Sequence, residues 1–569
     1  MSDTETLTLT GAGIGQGVAL GPVLRMSDPL PEPSDARSTR TVEEERSRVA
    51  VAVAAVAADL RARAAKVSGT AAEVLEAQSM MAEDSTLAGD VDERIGTGTT
   101  AERAVFEGFA VFRDLLIDLG GYMGERASDL DDVAQRVIAE LAGRPAPGVP
   151  ESDTPYVLVA RDLAPADTAL LDLSKVLGLI TREGGPTSHT AILAREKAIV
   201  AVVGVAGADD LQNGTEVVVD AASGTVTVAP SAEVRAETLR RIDERAAALA
   251  GGLEPGALAD GTPIPLLANL GSPDGAQSAV DAGAEGVGLF RTEFLFLDAR
   301  LAPTVEQQRE HYIRLLSAFP GKKVVVRVLD AGADKPLEFL NDAHEDNPAL
   351  GLRGIRSLRA NEDILREQLT ALAEANAATD ADLWVMAPMV ATVEETRYFV
   401  RLATEFGLQT VGVMVEVPSA ALTADRILRE AAFASIGTND LTQYTLAADR
   451  LLGSVAGYQD PWHPAVLRLI GEVGRAGRAQ GKPVGICGEA AADPLLAVVL
   501  VGLGSTTLSM SPAALADVRL SLSRFTLDQA RQLAELALAA DGAAEARDAV
   551  RAAIAGWTTP THHRKEAPQ

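Results

Sequence analysis

Eight short apolar segments recur through the second half of the 569-residue chain, each separated from the next by a helical stretch. Each segment is a nearly continuous apolar run, as expected of parallel strands that are buried on both faces. Eight such units are the number that a closed (β/α)8 barrel requires, so the sequence predicts a TIM-type barrel over residues 259–569. The segments are PIPLLANL, GVGLFRTE, VVVRVLDAG, WVMAPMV, VGVMVEVP, FASIGTND, PVGICGE and STTLSMS.

In the first half of the chain, the hydrophobic pattern changes twice, from that of strands to that of helices and back again. Residues 5–26 predict one or two short strands broken by glycines, and residues 40–143 have the apolar spacing of helices. After a linker rich in Gly and Pro, residues 155–228 again predict strands. Because short strands need a sheet elsewhere, the simplest topology is one α/β domain interrupted by a helical one. The expected division is 1–29 and 144–229 for the α/β domain, 30–143 for the helical domain, 230–258 for a linker helix and 259–569 for the barrel.

A formal net charge of −29 narrows the possible partners. Such an excess repels nucleic-acid backbones and anionic membrane surfaces, so an anionic substrate must be held by a local group of Arg side chains. The single cysteine excludes an internal disulfide framework and fits a reducing compartment. Neither a basic leader nor a long apolar run is evident, so we expect a soluble protein of the cytoplasm.

Polar residues follow five of the predicted barrel strands, at the end where barrels of this type build active sites. An isolated Arg or Glu in a loop is usually a surface ion pair. Six such positions at the same end of successive strands are much harder to obtain by chance. They are Arg291 after strand two, Arg327 after strand three, Glu416 after strand five, Asn439 and Asp440 after strand six, and Cys487 after strand seven; Arg450 follows in the helical stretch after strand six.

These residue types indicate a metal-assisted site for a small phosphorylated carboxylic acid. Two or three guanidinium groups can bind phosphate and carboxylate, because their planar fork matches both anions. Glu416 and Asp440 supply two carboxylates, which suits Mg²⁺. Asn439 can donate to a substrate carboxylate or bridging oxygen. A lone Cys is more often a small buried apolar residue, but at a strand end Cys487 could move a proton.

His189 lies outside the barrel, in the segment TREGGPTSHTAILARE. A Gly-Gly-Pro turn and two cap candidates, Thr187 and Ser188, place this imidazole in the first turn of a predicted helix. The helix dipole and free backbone N–H groups would favour a phosphate on the ring. A lone His is usually structural, but none of the other five histidines has such a setting.

Five segments occur together in one enzyme family: TREGGPTSHTAILARE, GVGLFRTEFLF, VGVMVEVPSA, SIGTNDLTQYTLAADR and GICGEAA. With them, nearly the whole chain resembles the PEP-protein phosphotransferases, the enzymes I of the bacterial sugar phosphotransferase system. The resemblance implies a swivelling phosphohistidine domain, a helical domain that binds the phosphocarrier HPr, and a phosphoenolpyruvate (PEP)-binding barrel that forms a homodimer. It also implies the reaction, in which the phosphoryl group of PEP passes to the enzyme's own histidine and then to HPr, as the first step of PEP-dependent sugar transport.

Site residues are carried over by motif match. The implied roles are His189 as the phosphorylated nucleophile, Arg291 and Arg327 as holders of the PEP phosphate, Glu416 and Asp440 as Mg²⁺ ligands, Asn439, Asp440 and Arg450 as further PEP contacts, and Cys487 as the proton donor that converts enolpyruvate to pyruvate. Three positions depart from the family pattern, namely Pro186 before Thr-Ser-His, and Ala331 and Ala333 in a loop that is usually Gly-rich. None of the departures removes a chemical group that the mechanism needs.

Other members of the superfamily fit the chain less well. Pyruvate phosphate dikinase and PEP synthase need a further ATP-grasp domain, and a nitrogen-branch paralogue would carry an N-terminal sensory domain; we expect neither here. A catalytically silent PEP-sensing scaffold is the interpretation from a different class. The intact set of His189, Glu416, Asp440 and Cys487 argues against it, because turnover requires these groups and packing does not.

Overall fold

The chain divides into two units, Met1–Asp243 and Glu244–Gln569, each with hydrophobic clusters of its own. The computed structural model describes residues 7–15, 17–27, 30–65, 70–119, 121–144, 148–150, 152–163, 171–185, 190–191, 194, 199–250, 254–297, 302–332, 337, 345–449 and 453–558.

Eight strands of the first unit form a single sheet. They are β1 Thr8–Thr10, β2 Ala12–Ile14, β3 Val18–Arg25, β4 Tyr156–Ala160, β5 Val176–Thr181, β6 Val200–Val203, β7 Glu216–Asp220 and β8 Thr225–Val228. Their order is β1-β8-β7-β3-β4-β5-β6-β2, with β3, β4, β5 and β6 mutually parallel. The N-terminal strands therefore pair with strands beyond residue 155, which confirms the predicted insertion. They number three rather than one or two, because strands of three residues are too short to show a periodic pattern.

Five helices occupy the chain between β3 and β4. They are α1 Val42–Ala64, α2 Thr70–Ala82, α3 Ser85–Gly96, α4 Ala101–Leu119 and α5 Gly121–Ala142. α1 begins at a capping box, in which Thr41 accepts from the Glu44 N–H and the Glu44 side chain accepts from the Thr41 N–H. Its inward residues, among them Val56 and Leu60, share a cluster with Val105 of α4. The helical segment therefore has its own core.

A charged helix, α6 (Ala232–Ala250), follows β8 and runs across the division between the two units. Near its middle, Arg241 pairs with Asp220 at the end of β7, with 2.8 Å between Nη1 and Oδ2. A helix was predicted at this position. The domain bounds given above stay a prediction.

Eight parallel strands of the second unit close into the predicted barrel. They are β9 Leu266–Leu270, β10 Val287–Arg291, β11 Lys323–Arg327, β12 Asp382–Ala387, β13 Thr410–Val415, β14 Ala434–Ile436, β15 Val484–Ile486 and β16 Thr507–Met510. Each strand pairs with the next, and β16 closes the ring on β9 through the register Leu508↔Leu266. The fold class predicted from the apolar runs is therefore confirmed.

Helices surround this ring. They are α7 Ala276–Asp281, α8 Glu293–Leu297, α9 Val305–Ser317, α10 Ile355–Ala360, α11 Glu362–Ala377, α12 Val393–Glu405, α13 Pro418–Leu422, α14 Ala424–Glu430, α15 Thr438–Leu446, α16 Pro464–Gln480, α17 Pro494–Leu503, α18 Leu515–Leu522, α19 Leu527–Ala539 and α20 Ala543–Thr558. Outward strand residues such as Val324 and Val326 pack in the cluster that includes the helices, whereas Val325 belongs to a separate cluster inside the ring. This alternation decides which side chains enter the barrel.

Membrane insertion by a helix finds no support in the described part of the chain. No helix there is both long enough and apolar enough to cross a bilayer.

Candidate active site

Arg327, the last residue of β11, is buried among carboxylates. Its Nη2 pairs with Glu293, at the start of α8, and its Nη1 lies 3.2 Å from Oδ2 of Asp330. Burial alone would lower the pKa of Arg327, but the charges of Glu293, Asp330, Glu416 and Asp440 outweigh burial and raise it. The Arg327 Nε is buried and has no hydrogen-bond partner within the described ranges. The guanidinium is therefore permanently charged and retains a donor that an anion could accept from.

Arg353 extends this network across the mouth of the barrel. Its Nε lies 3.6 Å from Asp330 Oδ1, and its Nη2 lies 3.1 Å from Asp440 Oδ1, in the first turn of α15. Its Nη1 also donates to the Tyr444 hydroxyl at 3.2 Å. The buried guanidinium thus ties the segment after β11 to the helix after β14.

Glu416, the first residue after β13, is fixed by its surroundings. Its Oε1 accepts from the N–H of Met389 at 2.6 Å, and Met389 has a φ of 56°, which is unusual for a residue other than glycine. On the other side, a Cβ at Gly437 would lie 2.8 Å from Glu416 Oε2, so any larger residue there would displace this carboxylate. Burial, followed by the charges of Asp440 and Asp330, raises the pKa of Glu416.

This network has more carboxylates than guanidinium groups, so it could bind an additional cation. Four carboxylates (Glu293, Asp330, Glu416 and Asp440) face two guanidinium groups (Arg327 and Arg353). Glu293 Oε2 is moreover buried without a hydrogen-bond partner within the described ranges. No group of three or more His, Cys, Asp or Glu side chains among the described residues forms a ready-made metal cage. The residues fit an ion that takes one or two protein carboxylates and completes its shell with substrate oxygens and water, as Mg²⁺ does.

Arg291 and Asn439 lie at the edge of this site. Arg291 ends β10 and is exposed, with its guanidinium carbon 5.6 Å from the centroid of the Phe294 ring. Asn439 was predicted at the end of strand six, together with Asp440. The strand instead ends at Ile436, and both residues belong to the first turn of α15. The Asn439 carboxamide there pairs with Glu489, accepting from its N–H at 3.1 Å and donating to Oε1 at 3.4 Å.

Cys487 is buried directly after β15, inside the ring. Its thiol donates to the carbonyl of Ile436 at 3.5 Å, and its apolar neighbours include Met386 and Met414. Burial raises the pKa of Cys487 to about 12, although Ser435, Arg327 and Arg291 act to lower it. The group is therefore a protonated thiol near neutral pH, which can give a proton but is a poor nucleophile.

The structure brings Arg327, Glu416, Asp440 and Cys487 together, with Arg291 and Asn439 beside them. His189 and Arg450 lie outside the described residues, as do the departures Pro186 and Ala333. Ala331 is described: it is buried, and its carbonyl accepts from the Gly354 N–H at 3.0 Å.

Four members of the network were not predicted from the sequence: Glu293, Asp330, Arg353 and Met389. Glu293 and Asp330 follow predicted strand ends within three residues, so their spacing was a usable signal. Arg353 and Met389 carried no such signal. Arg353 lies in a long connection between two strands, and Met389 acts through its backbone N–H.

Three family models match successive parts of the chain. Residues 10–126 match the N-terminal domain of PEP-utilising enzymes, residues 152–224 their mobile domain, and residues 250–527 their PEP-binding domain. The last match contains the barrel strands and the charged network at their ends. The fold and the matches together define a PEP-utilising enzyme.

Two curated relatives narrow this class. A phosphoenolpyruvate-protein phosphotransferase of Streptomyces coelicolor is 54% identical over 96% of this chain and 99% of the relative. One of Haloferax volcanii is 42% identical over 85% of this chain and 87% of the relative. The chain therefore belongs to the phosphoenolpyruvate-protein phosphotransferase family and is a phosphotransferase enzyme. Among solved structures, a solution structure of an Enzyme I protein covers 42% of this chain and 98% of its own, with 31% identity and a TM-score of 0.37.

Proposed function

We propose that this enzyme moves the phosphoryl group of PEP to its own His189 and from there to the phosphocarrier HPr, as the first step of PEP-dependent sugar transport. The observation that carries the proposal is the buried network of Arg327, Arg353, Glu416 and Asp440 at the C-terminal end of the barrel. A site with two buried guanidinium groups and paired carboxylates suits a phosphorylated carboxylic acid better than any neutral substrate.

In this proposal, Arg327 and Arg291 hold the phosphate of PEP. The Arg327 Nε supports this role, because it is a buried donor with no partner in the described part of the chain. Asn439, Asp440 and Arg450 contact the rest of the substrate. Glu416 and Asp440 hold Mg²⁺, which when bound would neutralise charge on the transferring phosphoryl group.

The chemistry then divides into two events. The P–O bond of PEP breaks as a P–N bond forms on the His189 imidazole, and the enolate of pyruvate remains. The Cys487 thiol gives its proton to C3 of that enolate, which becomes pyruvate, and solvent reprotonates the thiolate. The raised pKa of Cys487 supports the second event, because it keeps the thiol protonated until it is needed.

The domains and partners follow from the same proposal. We assign residues 1–29 and 144–229 to the phosphohistidine domain, 30–143 to HPr binding, 230–258 to the linker helix, and 259–569 to PEP binding and homodimer formation. On α4, Val111 and Leu115 are exposed and lie one turn apart, which offers an apolar contact for HPr. The single cysteine suits a cytoplasmic location.

The test is incubation with PEP labelled in its phosphoryl group, with Mg²⁺ and without ATP, followed by mapping of the labelled residue. Label should appear on His189 as an acid-labile, base-stable adduct and should move to added HPr. His189→Ala should still bind PEP but carry no label. Label that persists in this variant, or that requires ATP, would refute the proposal.

A further inference from the structure

Asn269, on the first strand of the barrel, ties together the ends of three strands. Its Nδ2 donates to the carbonyl of Cys487 at 2.9 Å and to the carbonyl of Ser509 at 3.3 Å. Its Oδ1 accepts from the Ser509 hydroxyl at 2.5 Å. Ser509 lies on β16, the neighbour of β9, so the carboxamide reaches past one whole strand to the residue after β15.

The carbonyl of Cys487 lies past the end of the hydrogen bonding between β15 and β16, which orients the carbonyl groups within the strand. β15 pairs with β16 through Gly485 and Ile486, and the strand ends there. On the other side, the Cys487 N–H donates to the Ile436 carbonyl at 3.0 Å. The backbone of Cys487 is therefore held from β14 through its N–H and from β9 through its C=O. Together these two bonds fix the direction in which the Cα–Cβ bond of Cys487 points.

The residue after Cys487 does not continue the strand, so strand pairing beyond it does not orient the Cys487 carbonyl. Gly488 is followed by a short 3-10 helix, Glu489–Ala492, and a Cβ at Gly488 would lie 1.9 Å from the Thr438 hydroxyl oxygen. The backbone therefore turns away from the direction of β15 at Gly488, close against Thr438, and enters this 3-10 helix directly. A side chain from another strand is what remains to orient the Cys487 carbonyl, and Asn269 supplies it.

We infer that Asn269 is a positioning residue for the proton transfer: by holding the Cys487 carbonyl, it aims the thiol at C3 of the enolate. This inference rests on the proton-donor role proposed above. In that step the S–H bond breaks, the electron pair of the enol double bond forms the new C–H bond, and the ketone forms. Asn269 contributes no atom to it. Displacing a reacting group by about 1 Å costs roughly 100-fold in rate, so loss of this single contact should be measurable.

The effect should be confined to one half-reaction. Phosphoryl transfer depends on Arg327 and the carboxylates, and no described hydrogen bond joins Asn269 to any of them. Ser509 offers a matched control on the same network, because Ser509→Ala removes the bond to Oδ1 and leaves both donors of Nδ2 in place.

The experiment compares Asn269→Leu, Asn269→Asp, Ser509→Ala and Cys487→Ala in the full-length enzyme. Both Asn269 variants keep the approximate shape and lack the donor; one adds a charge and the other does not. Proton transfer is followed by NMR as exchange of the methyl hydrogens of pyruvate in D₂O with Mg²⁺. Phosphoryl transfer is followed as label moving from PEP to the protein. The rate of iodoacetamide alkylation of the sole cysteine reports its orientation without any substrate.

Both Asn269 variants should exchange pyruvate hydrogens about 10- to 100-fold more slowly than wild type, with label transfer within about threefold. Their alkylation should be faster, and Ser509→Ala should differ little from wild type in all three measurements. Normal exchange in both Asn269 variants would overturn the inference, as would equal losses of exchange and label transfer. If Cys487→Ala exchanges at the wild-type rate, the proton-donor role itself is wrong. Slow exchange in Cys487→Ala with normal exchange in the Asn269 variants would reject Asn269 alone.

Discussion

β11 begins with a partly buried lysine, Lys323, and ends with a buried arginine, Arg327, and the two cations have different surroundings. At the first residue, Lys323 Nζ lies 3.6 Å from the centroid of the Trp384 ring and 5.6 Å from that of Phe433. At the last residue, Arg327 pairs with Glu293 and Asp330. Burial lowers the pKa of Lys323 to about 8, against a small opposing effect of Asp382. The same burial fails to lower the pKa of Arg327, because carboxylates surround it.

The different surroundings of these two cations distinguish the two ends of the barrel by function. At the N-terminal end, the lysine is still charged at neutral pH and packs on the faces of aromatic rings, and burial lowers its pKa with Asp382 as the opposing charge. At the C-terminal end, the guanidinium stays charged and is surrounded by more carboxylates than it can neutralise. Only the C-terminal end therefore has unbalanced negative charge that a metal ion could neutralise. This is also the end at which barrel enzymes have their active sites.

The strongest test exchanges each cation for the same apolar residue. Arg327→Met should slow label transfer from PEP by about 100-fold to 1,000-fold, because a donor to the phosphate is lost and nearby carboxylates lose their partner. Lys323→Met, on the same strand, should stay within about twofold of wild type. Initial rates with labelled PEP decide the matter, with circular dichroism as the check on folding. Similar losses in both variants would show that the strand as a whole matters, rather than its C-terminal end.

A second test sharpens the description of the C-terminal end through Cys487. With a pKa raised to about 12, the thiol should be alkylated by iodoacetamide about 10-fold or more slowly than a small free thiol at pH 8. The logarithm of the rate should keep rising with pH through pH 10. The absence of other cysteines makes the measurement specific. A plateau near pH 8.5 would describe an ordinary exposed thiol and would contradict the buried environment.

The smallest expected effect concerns the stability of the N-terminal end. Between pH 8 and 10.5 the unfolded chain keeps a proton on Lys323 that the folded amine has lost, so stability rises with pH across this window. Below pH 8 the full penalty applies. Lys323→Met should therefore stabilise the barrel by about 1–3 kcal/mol at pH 7, and the gain should vanish above pH 10.5.

Urea unfolding of both proteins, followed by tryptophan fluorescence, measures this gain. All three tryptophans, Trp384, Trp462 and Trp557, lie in the second unit, so the signal reports on that unit alone. A variant that is less stable than wild type at every pH would mean that the stacking of Lys323 on Trp384 outweighs the cost of burying the amine.

The barrel and much of its active end could be predicted from the sequence. Apolar runs of strand length specify strands buried on both faces, and a polar residue that ends such a run must lie at the rim. Arg327, Glu416 and Cys487 were found in this way. The bounds were less secure after strand six, where Asn439 and Asp440 belong to the following helix rather than to the strand. Both residues remain close to the rim, because the helix begins two residues after the strand ends.

The remaining parts of the site depend on contacts between segments that are distant in sequence. Arg353 contacts Asp330 and Asp440 only because the described segment that contains it, between β11 and β12, lies at the rim of the barrel. Asn269 looks like an ordinary polar residue in a strand, and its contact with the Cys487 carbonyl spans 218 positions of the chain. Nothing in the local pattern of either residue distinguishes it from a surface side chain.

By itself, therefore, the sequence determined the number of strands in the barrel, most of the polar residues that follow those strands and the chemistry that these residue types can perform. These properties follow from periodicity and from functional groups, which are local. The tertiary structure alone decided which charges are buried together, which carbonyl Asn269 holds, and why one cation of β11 is paired with carboxylates and the other with aromatic rings. Such choices depend on desolvation and on distances of a few ångströms between strands, which only the closed ring establishes.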